Sequence, residues 1–361
     1  MFTRVALGLA IAVALQGCVF DGELKHDLGT VPEALDDGWE IADPHDVGLS
    51  RSALARIHRE LLREDRQLGT LGFLVVKDHK LVFETYLRSL GDRDHYHHIQ
   101  SATKSVTSLA FGIARDDGDF DSLDLTTGAL FPDAVRGLDP RAAQITLRQL
   151  LTMRSGLAFD NDVFSLEMWV DKPDDPLRYM LSKPFYADPG TEFYYRDVDP
   201  QLVGYALRER TQRSERELVE ERIFDRLGID DFYWESGSDG ISLAAHGLHL
   251  RPRDLAKLGQ LLLDRGTWNG ERVVSEAWID EATRRQATSE TRDQNGKRYG
   301  YGYYFWILPD VGFAAWGHGG QFIVVAPAQQ LVVVQVSLPD TDDLPGSHLN
   351  DVVELVQPLL E

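Results

Sequence analysis

Apolar residues follow two different periods along this chain. After Ser50, Leu54, Ile57, Leu61 and Leu62 recur at helical spacing, so Ser50 reads as the N-cap of a helix reaching about residue 66. Residues 71–76 and 80–87 are apolar, β-branched runs on either side of Lys77-Asp78-His79, which is a hairpin pattern. A second helix is predicted from about Ala102. It carries Val106, Leu109, Ala110 and Ile113 on one face, and Gly118 is placed to stop it. Between about 119 and 245 strand signals are few. Thr146 caps a helix containing Leu147, Leu150 and Leu151, and helical stretches follow at about 199–207 and 215–226. Two more are predicted at 252–264 and about 275–284. Strand patterns return at 301–308, 311–316, 322–325 and 331–338, and 348–360 reads as a closing helix. Two strands, a helical middle and four more strands predict one sheet completed from both chain ends, with 119–245 as a helical insertion.

The first residues follow neither period. Arg4 precedes the apolar run from Val5 to Leu15, which is too short to span a bilayer and reads as an export signal. Leu15-Gln16-Gly17-Cys18 resembles a bacterial lipobox, in which the cysteine is lipidated after cleavage. Residues 1–17 are then a signal peptide and Cys18 the lipid attachment site. Residues 18–45, rich in Asp, Gly and Pro, are expected to be a tether to a body at 46–361. This predicts an exported lipoprotein held to a bacterial membrane only by its anchor, facing the periplasm or the outside.

Composition narrows the function. The chain has 361 residues, 43% of them hydrophobic, which is enough for a large core. Its formal charge of −21 excludes nucleic acid as an expected partner, because phosphate binding needs a basic patch. The single cysteine excludes a disulfide framework and a Cys-rich zinc site.

The chemistry starts at Ser101-Ala102-Thr103-Lys104, the one S-x-x-K in the chain. At the start of a helix, positions i and i+3 share a face, so the Lys104 amine can approach the Ser101 hydroxyl. A serine is a poor nucleophile until a base takes its proton, and a helix N-terminus adds positive potential where an oxyanion forms. Three further segments give the motif its context. Residues 145–157, Ile-Thr-Leu-Arg-Gln-Leu-Leu-Thr-Met-Arg-Ser-Gly-Leu, resemble ITLRHLLTHTSGL of class C β-lactamase-like serine hydrolases. Residues 189–197 resemble that family's PGTxFxYSN segment, and 247–259 its GLxxTPRDLAKFG helix. Trp316-Gly317-His318-Gly319-Gly320-Gln321 is similar to the strand segment that replaces Lys-Thr-Gly in many members. The resemblance runs from about residue 46 to the end and keeps the family's order.

The resemblance implies the β-lactamase/transpeptidase-like fold: an α/β (α+β) half at 46–118 and 246–361, with an antiparallel sheet flanked by helices, and an all-helical subdomain at 119–245. It implies acyl transfer with no cofactor and no metal. Ser101 matches the acylated nucleophile, Lys104 its basic partner and Tyr195 the tyrosine that assists proton transfer. Whether Lys104 or Tyr195 takes the serine proton stays open. The backbone N–H groups of Ser101 and Gln321 match the oxyanion hole. His318 stands where β-lactamases place a lysine, and Asp197 where the family usually has Asn. An ionised Asp only accepts hydrogen bonds, and His318 removes a permanent cation, so both argue against an efficient β-lactamase. Asp197, Gly319 and Gly320 are expected to touch substrate. The expected activity is hydrolysis of a small-molecule ester or amide, leaning toward the 6-aminohexanoate-dimer hydrolase branch through Tyr195-Arg196-Asp197-Val198-Asp199-Pro200-Gln201-Leu202-Val203-Gly204. The alternatives are a D-alanyl-D-alanine carboxypeptidase or β-lactamase, and a non-catalytic cell-wall-binding lipoprotein.

Other clusters are assigned ordinary roles. His95, His97 and His98 have no carboxylate or thiolate at ligand spacing and are expected to be solvated or packed. Asp117, Asp119, Asp121 and Asp124 lack the glycine of a calcium loop, since Ser122 takes that place. Trp169, Tyr179, Phe185 and Tyr186 are divided between lining a cleft and plain packing.

Overall fold

In the computed structural model, residues 25–161, 173–338 and 346–361 are described. The 71–76 and 80–87 runs form strands β2 (Thr70–Lys77) and β3 (Lys80–Tyr86). Asp78 and His79 turn the chain between them at φ of 50° and 65°, the left-handed pair that matches the twist of a two-residue hairpin. The main sheet has nine strands in the order β1-β3-β2-β14-β13-β12-β11-β10-β9. Its later members are β9 (Ala287–Arg292), β10 (Arg298–Tyr301), β11 (Trp306–Leu308), β12 (Gly312–Gly317), β13 (Gln321–Ala326) and β14 (Leu331–Ser337). β14 pairs antiparallel with β2, which joins the two ends of the chain into one sheet. The sheet is mixed, because the two-residue β1 (Glu40–Ile41) runs parallel to β3.

Helices cover it. α1 (Arg51–Leu61) is capped by Ser50, whose side chain accepts the Ala53 N–H, and packs with the closing helix α9 (Leu349–Leu360). α7 (Pro252–Leu263) is buried along its whole length, over β13, β14 and β2. Gly259 allows the approach: a Cβ there would lie 2.4 Å from Val332 Cγ1. The helical half contributes α3 (Leu147–Leu151), α4 (Pro176–Leu181), α5 (Val198–Thr211) and α6 (Glu215–Val219), which continues as a π turn over Glu220–Phe224. Thr146 caps α3 in a full capping box with Gln149. Helix α2 (Thr103–Asp116) runs between the halves and packs against α5, α6, β12 and α8 (Glu276–Ala282). A small sheet, β4 (His97–His98), β6 (Leu248–Leu250) and β5 (Tyr233–Trp234), braces the segment before α2; a separate hairpin, β7 (Thr267–Trp268) and β8 (Glu271–Arg272), follows α7.

Three expectations change. Residues 301–308 form a hairpin, not one strand: Tyr304 turns at φ 66° between β10 and β11. Apolar residues on both sides of so tight a turn look continuous in sequence. Residues 233–234, expected within the helical insertion, are strand. Residues 25–45, expected as most of a tether, lie against the body. Trp39 is buried and donates its indole N–H to the Arg253 carbonyl (3.3 Å). Arg253 also reaches Asp37 (2.8 Å) and the buried Glu84 (2.5 Å). Polar composition signalled a tether, but these acids meet a buried guanidinium. The signal peptide and Cys18 lie outside the described residues. Among the described residues no helix is long and apolar enough to cross a membrane.

Candidate active site

Ser101 sits in a 3-10 turn, Gln100–Ala102, that leads directly into α2. Gln100 holds φ of 52° there, an uncommon backbone conformation for a residue with a side chain. The turn packs against β12 and β13. Gly317 makes this contact possible, since a Cβ on it would lie 2.2 Å from the Ile99 carbonyl oxygen. Lys104, one helical turn on, donates to Ser101 Oγ at 2.7 Å, as the i, i+3 spacing requires.

Lys104 is 1% exposed, so its charge needs partners. It donates to the Ala245 carbonyl (2.8 Å) and lies 2.7 Å from Asp197 Oδ1. Two hydrogen bonds and one close ion pair therefore surround the ammonium. Burial alone would favour the neutral amine, but the Asp197 carboxylate and the Tyr195 hydroxyl outweigh it and push the Lys104 pKa above its ordinary value. Asp197 stands at the N-cap position of α5 yet makes no side-chain cap bond, which leaves its carboxylate for Lys104. Its own N–H donates to Asn161 Oδ1 at 2.9 Å. The Tyr195 ring lies 5.0 Å from Lys104 Nζ and packs on Trp306 (5.6 Å) and Tyr301 (6.1 Å).

These residues open onto a cleft of about 730 Å³ between the sheet and the helical half. Ser101, Tyr195, Asp197 and His318 all line it, with Asn161, Thr291, Trp306 and Trp316; no Lys or Arg appears among its described lining residues. Gly319 and Gly320 are buried in the turn behind His318 and do not line it. The Gln321 side chain turns into the sheet, donating to the Ser337 carbonyl (2.9 Å), so its backbone alone is left for any role in the cleft. Tyr179, Phe185 and Tyr186 do not line the cleft, and Trp169 lies outside the described residues.

His98, expected to be solvated or packed, instead gathers at the same cleft with histidines that sequence reasoning did not single out. His98 and Glu235 line it, as does His246, whose pKa is lowered by burial. His98 stacks on His249 (4.4 Å, 11°), and His249 Nε2 lies 3.0 Å from Glu235 Oε1. The ladder that pairs His98 with His249 and Tyr233 with His249 brings three distant segments together. Linear spacing carries no sign of this. By contrast, His97 is buried against the Asp92 carbonyl (2.8 Å) and His95 is exposed. Asp117 pairs with Arg222, and Asp124 with Arg148 (3.3 Å), so these two loop acids are engaged by arginines.

The Beta-lactamase family model matches residues 54–346. This chain belongs to the beta-lactamase family. It is a serine hydrolase of that family, with relatives among amidases and esterases. The 6-aminohexanoate-dimer hydrolase of Paenarthrobacter ureafaciens is 23% identical over 333 residues, covering 86% of this chain and 84% of its own. A lovastatin esterase of Penicillium rubens is 31% identical over 192 residues, 47% of each chain. A family VIII carboxylesterase structure superposes with a TM-score of 0.64 at 19% identity, over 89% of this chain and 98% of its own. The beta-lactamase-family fold expected from the motifs is thus the fold observed.

Proposed function

We propose that this beta-lactamase-family hydrolase cleaves small esters or linear amides through a covalent acyl-enzyme on Ser101. The observation that carries this is the buried Lys104 ammonium 2.7 Å from Ser101 Oγ at the floor of an aromatic-walled cleft. Ser101 Oγ bonds to the substrate carbonyl carbon, and the carbonyl π electrons move to its oxygen. The N–H groups of Ser101 and Gln321 receive that oxyanion. Collapse expels the alcohol or amine, and water then attacks the ester of Ser101 and frees the acid.

Asp197 and Tyr195 hold Lys104 as an ammonium, and an ammonium has no lone pair for a proton. Tyr195 therefore relays the proton: its oxygen takes the Ser101 proton as its own hydroxyl proton passes to the leaving group, so Tyr195 is neutral before and after, while the adjacent Lys104 ammonium stabilises the negative charge that develops. A cleft walled by Trp306, Trp316 and Tyr195, with acids and no described cation on its surface, favours neutral or cationic substrates over carboxylate-bearing β-lactams. The 6-aminohexanoate-dimer hydrolase likeness over most of both chains supports a linear amide among the substrates. Export and lipid attachment at Cys18 belong to this reading on the N-terminal sequence alone.

Comparing p-nitrophenyl butyrate, an aminohexanoate dimer and a chromogenic cephalosporin tests the assignment. Turnover of the ester or the linear amide with slow cephalosporin hydrolysis is expected. Fast cephalosporin turnover would overturn the substrate class.

A further inference from the structure

His98, Glu235 and His249 are close enough to share one ion. One donor atom from each lies within 4.8 Å of the other two. They come from β4, from the residue after β5, and from β6, so the backbone ladder of the small sheet holds them in place. Two imidazoles and one carboxylate are borderline donors that suit zinc-like divalent ions, and they leave a further coordination position for water. Hard ions such as Mg²⁺ prefer all-oxygen sets.

The present hydrogen bonds show what an ion must displace. His98 Nε2 accepts the Gly247 N–H (3.1 Å), and His98 Nδ1 lies 3.2 Å from the Gln100 side-chain amide nitrogen. His249 Nε2 faces Glu235. Each ring thus has one nitrogen engaged by a side chain that can rotate away. Gln100 is the residue before Ser101, so an ion that claims His98 Nδ1 moves the amide next to the Ser101 turn.

We propose that His98, Glu235 and His249 form a binding site for a zinc-like divalent cation at the edge of the Ser101 cleft. The site does not depend on Ser101 being the nucleophile, and its test does not read hydrolysis.

Untagged full-length protein is titrated with Zn²⁺ and, separately, Mg²⁺ by calorimetry. One Zn²⁺ per chain and no measurable Mg²⁺ binding are expected. Glu235→Gln and His249→Ala each weaken Zn²⁺ binding by at least about 10-fold, in the range that disturbing a metal site produces. His95→Ala removes an exposed neighbouring imidazole and leaves affinity and stoichiometry unchanged. Melting curves without metal confirm that each variant is folded, and the Zn²⁺-induced rise in Tm of the wild type disappears in Glu235→Gln and His249→Ala. Absence of saturable Zn²⁺ binding by the wild type, or unchanged binding in both of those folded variants, would overturn the site.

Discussion

The Lys104 ammonium lies 2.7 Å from the Asp197 carboxylate. The pair fixes the protonation state of the residue beside Ser101. Burial pulls the Lys104 pKa down, and Asp197 with Tyr195 more than reverses this. In Asp197→Asn the opposing charge is gone and burial dominates. If catalysis needs the ammonium, the alkaline limb of kcat/KM moves to lower pH by about 1–3 units, the range such charge pairs impose. An activity gain at neutral pH, with the acid limb moving down instead, would show that neutral Lys104 is the base. A pH–rate profile of both proteins separates the two outcomes.

The Ser101–Lys104 contact was legible in sequence because helical spacing fixes it. The Lys104–Asp197 pair was not. It joins residues on two helices, and only the packing of α2 against α5 sets their distance. The same limit hid the His98, Glu235 and His249 cluster, whose strands of two or three residues are too short to show a period. Long apolar runs such as Leu331–Ser337, buried on both faces, were read easily. The hairpin within 301–308 was not, since Gly302 and Tyr304 turn between aromatic residues that resemble one strand.

Gly317 sets how closely β12 approaches the Ser101 turn. A methyl group there meets the Ile99 carbonyl oxygen at 2.2 Å, so Gly317→Ala must separate β12 from that turn. Displacements of this order at a reacting group cost about 10²-fold in rate. The expected result is a kcat/KM loss of about that size, in a variant that still melts cooperatively. An unchanged kcat/KM would show that the Gly317 contact does not position Ser101.

Glu215 is buried and its pKa is raised by burial from its ordinary value of 4.5 to about 8. Below about pH 4.5 the acid is neutral in folded and unfolded chains and costs nothing. Between about 4.5 and 8 the unfolded chain ionises while the native carboxyl stays neutral, so stability falls by up to about 1.4 kcal/mol per pH unit. Glu215→Gln removes this penalty. The difference in Tm, variant minus wild type, should be larger at pH 8 than at pH 5. A difference independent of pH would show that Glu215 is ionised in the native protein.

The acyl-enzyme on Ser101 is tested most directly by intact mass and peptide mapping after treatment with a fluorophosphonate probe. The wild type should gain one adduct, mapped to Ser101, and Ser101→Ala should gain none. An adduct of equal yield on folded Ser101→Ala would contradict the assignment of the nucleophile.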